Sequence, residues 1–202
     1  MRFRGFLLFI IIFAFQGCSL APIVSEKTAR TLGSGNWEIN TGLSPAYNAW
    51  LGRGITENFD LNIAVESQIG TVFSFGGKFS FLQNPEGLSI SAMGGFFTGT
   101  NSTGYYAGPI VSYKSGWVEL YALAKYNNVS WEATSDTADD DVLFDFSLSQ
   151  SVDFNYWVAV VGANFWFSDG FGLNINGKKF LSSDTSSKGD EIIPSANLLF
   201  RF

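Results

Sequence analysis

The chain has 202 residues, of which 46% are hydrophobic, 17% aromatic and only 15% charged. Its net charge of −6 excludes the basic face that a nucleic-acid binder needs, so no nucleic-acid partner is expected. The single cysteine excludes an internal disulfide framework and a cysteine-cluster zinc site, and the absence of histidine removes the usual general base.

The N-terminus reads as an address. Arg2 and Arg4 precede an unbroken apolar run, FLLFIIIFAF, at residues 6–15. Ten residues in a helix rise about 15 Å, half of a bilayer core of about 30 Å, too short to span. A basic start, a short apolar run and a small residue at its end make a secretory signal, residues 1–17. The sequence that follows, Gln16-Gly17-Cys18-Ser19, resembles the lipobox of bacterial lipoproteins. Gly17 and Cys18 match that pattern, whereas Phe15 stands where leucine is commonest and Gln16 is larger than usual. The resemblance implies cleavage before Cys18, acylation of Cys18, and transit to the outer membrane, because Ser19 is not the aspartate that retains such proteins at the inner membrane. Without Arg2 and Arg4 the mature chain carries 10 bases against 18 acids. Residues 18–35 lack periodicity and read as a lipidated N-terminus and tether.

From residue 36 onward the hydrophobic period is two, with no helical stripe. Trp37, Ile39, Thr41 and Leu43 alternate with Glu38, Asn40, Gly42 and Ser44. The same pattern recurs at residues 59–66, 73–81, 88–93, 171–176 and 195–202. Less regular segments lie at 46–53, 105–114, 117–128 and 154–167, and Pro109 weakens the second of them, since proline donates nothing to a ladder. Successive strand residues face opposite sides, so each segment has one apolar and one polar face. The count is about ten strands, most of the length a tilted strand needs to cross a membrane.

Tight, turn-rich connections are predicted after strands two, four, six and eight. Longer ones are predicted after strand five (98–104), seven (130–153) and nine (181–191), while those after one and three are short. Aromatic residues gather at the tight-turn ends (Trp37, Phe79, Tyr113, Trp117, Phe167, Phe171) and, more sparsely, at the other ends (Tyr47, Phe73, Phe96, Tyr105, Trp157). Bilayer interfaces select two such belts, and transmembrane barrels pair short periplasmic turns with longer outside loops. The ending Leu199-Phe200-Arg201-Phe202 resembles the C-terminal signal of outer-membrane barrel proteins. That resemblance implies recognition of Phe202 by the barrel-assembly machinery. The expected fold is all-β: an up-and-down antiparallel transmembrane β-barrel occupying residues 36–202. The expected place is the outer membrane of a Gram-negative bacterium, with a lipid anchor on the periplasmic side and lipid and lipopolysaccharide as neighbours.

Strand-borne charges fall mainly on the polar face: Glu38, Glu66, Lys78, Glu119, Lys125, Lys178 and Arg201. Buried charge is costly unless paired, so a lumen packed by ion pairs is expected rather than an open hole. Lys178 and Lys179 also lie near the predicted outer rim, where they suit lipopolysaccharide phosphates.

Loop 130–153 carries Glu132, Asp136, Asp139, Asp140, Asp141, Asp145 and Asp153 and no base. Such a run is ordinarily a solvated face. Asp136, Asp139, Asp140, Asp141 and Asp145 are the conceivable cation ligands, although their spacing lacks the glycine and alternation of an EF-hand. Phe144, Phe146 and Leu148 alternate with Asp145, Ser147 and Ser149, the pattern of a hairpin that extends strands seven and eight past the membrane, and Phe144 and Phe146 offer an apolar patch there.

No cofactor and no enzymatic activity are expected. The outer-membrane barrel enzymes to which this class compares use a histidine. The reading is a lipoprotein barrel with a structural or surface-binding role through its outside loops. Alternatives are a narrow pore for small solutes and a lipid-tethered soluble barrel with an apolar ligand inside.

Overall fold

The computed structural model describes residues 21–22, 27–44, 46–67, 70–134, 149–181 and 192–202. Ten strands follow in chain order. They are β1 (Trp37–Ser44), β2 (Ala46–Thr56), β3 (Phe59–Ser67), β4 (Thr71–Leu82), β5 (Gly87–Gly99), β6 (Ser102–Ser115), β7 (Val118–Thr134), β8 (Ser149–Ser168), β9 (Phe171–Leu181) and β10 (Ile193–Arg201). Each pairs antiparallel with its sequence neighbours, and β1 pairs with β10, from Glu38↔Arg201 to Leu43↔Ala196. The chain is therefore a closed, up-and-down, ten-stranded β-barrel, the architecture that the period-two sequence predicts. Closure removes the free edges that an open sheet of this composition would expose.

The two faces divide as the alternation requires. Ile39, Ile63, Phe75, Phe96, Leu120, Val161 and Leu198 point outward and are exposed. Asn40, Asn62, Ser74, Lys78, Ser91, Glu119, Lys125, Asn174 and Asn197 point inward and are buried. Pro109 faces outward within β6, opposite Ala92 of β5. The ladder to β7 is interrupted at Gly108 and Pro109, which accommodates the missing N–H.

Short connections gather at one mouth of the barrel, called here the turn mouth. They are Glu57-Asn58, residues 83–86, Gly116-Trp117 and Asp169-Gly170. Gly87 and Gly116 adopt φ of 97° and 59° there, a conformation that glycine enters without steric cost. Both ends of the barrel proper lie at this mouth, where Trp37 and Phe202 exchange backbone hydrogen bonds of 2.7 and 3.0 Å.

The opposite, loop mouth holds a departure from expectation. Residues 98–104 do not form a long loop: Thr98 pairs with Thr103, leaving only Thr100 and Asn101 between β5 and β6. The β-branched threonines continue the ladder, and Thr100 ties to Thr71 in both directions at 3.2 Å. The second departure concerns 130–153. β7 and β8 stay paired from Val118↔Phe165 to Thr134↔Ser149, so only 135–148 lie between them. They rise past β6, whose last partner on β7 is Trp131, and past β9, whose last partner on β8 is Trp157. The two strands thus extend as a projecting hairpin, while the alternation at 144–148 from which the sequence predicts one lies outside the described residues.

Candidate functional site

The lumen is the chemically dense part of the molecule. Tyr106 lies across Gly76 and Gly95, where any Cβ would fall 2.2 and 2.6 Å from its hydroxyl. An asparagine network crosses the lumen. Asn48 Nδ2 donates to Asn197 Oδ1 (3.1 Å), and Asn174 Nδ2 to Tyr121 OH (2.8 Å) and Asn164 Oδ1 (2.5 Å). Amide pairs of this kind satisfy buried polar groups without charge.

The structure places all seven predicted interior charges on the inner face. Glu38, Glu66, Lys78, Glu119, Lys125 and Lys178 are buried, and Arg201 is half-buried. Lys178 therefore does not serve the outer rim: it is fully enclosed and pairs in register with Val160. Arg201 binds Glu38 at 2.7 Å beside the β1–β10 seam, and its guanidinium stacks 4.3 Å from the Trp166 ring centre.

Inside the ring lies a segment that the sequence reading made a tether. Ala21, Pro22 and residues 27–32 occupy the lumen, and Ala21, Lys27, Thr28, Ala29, Thr31 and Leu32 are all buried. Within this arm, Arg30 Nη1 binds Glu119 Oε1 at 2.6 Å, and its other nitrogens donate to the carbonyls of Asn84 and Gly87 at 2.8 Å. Ala29 N donates to Ser112 Oγ at 3.2 Å, and Leu32 N to Asp60 Oδ1 at 3.0 Å. Lys78 Nζ bridges Asp60 (3.3 Å) and the carbonyl of Thr28 (3.0 Å), and also binds the Arg30 carbonyl. Lys125 Nζ binds the Pro22 carbonyl. The Lys27 ammonium sits 4.2 Å from the Trp50 ring centre, a cation–π contact.

A reversal at Gly33-Ser34-Gly35 then turns the arm into β1. Gly33 and Gly35 have φ of 80° and 84°, and Asn36 Nδ2 caps the Leu32 carbonyl at 2.8 Å. The reversal rests on Gly54, where a Cβ would meet the Gly33 oxygen at 1.8 Å. Gly35 N and Gly54 N exchange 2.9 Å hydrogen bonds with the Gly54 and Asn36 carbonyls.

Sequence reading thus missed Lys27, Arg30 and Asp60. The two closely spaced glycines beside a strand were the signal for a reversal, and two cations in a short polar stretch were the signal for an acidic counterpart. Cys18, Phe144 and Phe146, and Asp136, Asp139, Asp140, Asp141 and Asp145 lie outside the described residues. Glu132 and Asp153 stand exposed on the β7–β8 extension, opposite Ser151 and Ser130. Among the described residues no three His, Cys, Asp or Glu side chains come together as a metal site. At the turn mouth, Arg30, Lys114, Trp117, Glu119, Trp166 and Arg201 line a polar recess of about 440 Å³.

No family model and no curated protein matches the chain. Among solved structures it is similar to the N-terminal β-barrel domain of Pseudomonas aeruginosa OprF, at 13% identity over 84% of this chain and 99% of that one (TM-score 0.37). It is also similar to the KdgM porin, at 8% identity over 83% and 99% (TM-score 0.45). A third is Ail of Yersinia pestis, solved with the heparin analogue sucrose octasulfate, at 15% identity over 84% and 99% (TM-score 0.34). At these identities the likeness is one of fold, and the strand ladder itself establishes that fold.

Proposed function

We propose that the protein is an outer-membrane β-barrel lipoprotein, anchored through Cys18, with a structural or surface-binding role exercised at the loop mouth. The observation that carries this reading is the pairing of an apolar outer wall with an occupied lumen. Exposed Phe73, Phe75, Phe96, Tyr105 and Trp157 ring the loop half, and Phe79, Phe81, Tyr113, Trp117, Phe167 and Phe202 ring the turn half. Two aromatic belts around an apolar band suit a bilayer and are unfavourable in water. A wide depression of about 710 Å³ on this wall, lined by Ile39, Leu51, Ile63, Phe73, Phe75 and Phe96, is almost wholly apolar and fits acyl chains. The soluble-barrel alternative requires the reverse distribution.

A ten-stranded barrel is wider than the eight-stranded kind that side chains alone fill. Here the additional space holds the arm, which disfavours the narrow-pore alternative. Binding then falls to the β7–β8 hairpin, whose acidic segment repels anionic surfaces and suits a partner that engages Phe144 and Phe146. Purified protein in cold detergent is expected to migrate as a compact band that shifts on boiling, and to show no steady conductance in planar bilayers. A single soluble species without detergent, or stable channels from the intact chain, would refute this reading. Deletion of residues 137–147 is expected to abolish adhesion to the surfaces that the intact protein binds while leaving the gel shift unchanged.

A further inference from the structure

The arm has a direction, and the direction determines where the chain before it emerges. Ala21 is fully buried against Val72, Phe97, Tyr106 and Val129, with Phe154 and Tyr156 packed beside them. Val72 is the second residue of β4 and Phe97 stands two residues before the end of β5, so this cluster belongs to the loop half. Ala29 lies lower, among Met93, Ile110, Tyr121 and Leu123. Arg30 and Thr31 are fixed at the turn mouth by Asn84, Gly87, Gln83 and the Glu57 carbonyl. The chain therefore descends from the loop mouth to the turn mouth before reversing at Gly33-Ser34-Gly35 into β1.

We propose that the chain preceding Ala21 leaves the barrel through the loop mouth, so that an acyl group on Cys18 enters the leaflet on the loop side. This rests on the lipid-anchor reading above and departs from the periplasmic anchor expected from sequence. Covalent reach decides between the two sides. From Ala21 to Arg30 the chain covers nine residues, about 30 Å when extended, which is also about the thickness of a bilayer core. Cys18 stands three residues before Ala21, a reach of only about 10 Å. An anchor at the turn mouth would need roughly three times that length, and would have to pass back beside an arm that already occupies the lumen. With short turns on the periplasmic side, the loop side is the cell surface.

Single-thiol labelling in intact cells tests the direction. Ser19→Cys is expected to react with a membrane-impermeant maleimide without permeabilisation, and so is Asn101→Cys at the loop mouth. Asn58→Cys, at the turn mouth, is expected to react only after the outer membrane is breached. A second measurement needs no solvent access. On oxidation, Ala21→Cys should form a disulfide with Val129→Cys and none with Ser89→Cys, which lies in the turn half. Labelling of Ser19→Cys only after permeabilisation, a Ser89 cross-link, or no cross-link in a chain that keeps its heat-dependent gel shift overturns the proposal. Mass spectrometry of the N-terminal peptide separates the two readings. An unacylated Cys18 defeats the anchor alone: its own thiol then labels beside the engineered one, so adducts are assigned by peptide, and the cross-links report the path of the arm whether or not lipid is attached.

Discussion

Arg30 and Glu119 show at the scale of single residues how this lumen is held. Both are largely removed from water and meet at 2.6 Å, with Ser112 Oγ donating a further 2.9 Å bond to the carboxylate. Removing one partner of such a pair leaves a buried charge uncompensated, at a cost of about 3–5 kcal/mol, whereas removing both costs far less. Arg30→Met is therefore expected to lower the unfolding midpoint in detergent markedly. Arg30→Met combined with Glu119→Gln should recover much of the loss, and a double-mutant cycle measures the coupling. Independent, additive effects would mean that the arm is not seated on the wall. The wall half of this pair was legible in the sequence, because Glu119 falls on the polar face of its strand even though segment 117–128 alternates less regularly than most. Arg30 was not, because no period governs residues 19–35, and a chain running along a lumen has no face of its own to reveal.

At the scale of elements, the strand alternation carried almost all the information about the barrel. A one-residue slip exchanges every side chain between lipid and lumen, so a face this consistent determines register. Ile63, at the centre of β3, is half-exposed on the outer wall while its neighbour Asn62 is buried. Ile63→Arg is expected to cost about 2–4 kcal/mol if that wall faces the bilayer midplane, and very little if it faces water. Urea unfolding in lipid vesicles measures it. Element ends were less legible. Thr98 and Thr103 extend a ladder that turn residues at 100–104 concealed, and the β7–β8 pairing runs to Thr134↔Ser149 through residues whose polarity resembles a loop. Cross-strand bonding, which local composition does not record, decides such boundaries.

At the scale of the whole molecule, the arm and the wall form one interior. The four wall cations Lys78, Lys125, Lys178 and Arg201 face the four acids Glu38, Asp60, Glu66 and Glu119, and the arm adds Lys27 and Arg30. Deleting residues 27–32 removes the segment that fills the lower lumen and frees Glu119 and Asp60 from it. Planar-bilayer recording is expected to show conductance in the shortened chain and none in the full one. A shortened chain that still folds but remains silent would mean that wall side chains collapse into the vacated space and close the lumen without help.

The seam between β1 and β10 has a consequence for how the molecule is made. It joins residues more than 150 positions apart in the chain, Glu38 with Arg201, and Trp37 at its foot follows directly from the reversal that ends the arm. Contacts so distant in sequence form late. Once the last strand zips onto the first, the ring encircles the arm like a bead on its own thread. An arm already inside at that moment needs no later threading through either mouth, which gives biogenesis its simplest order: insert, then seal.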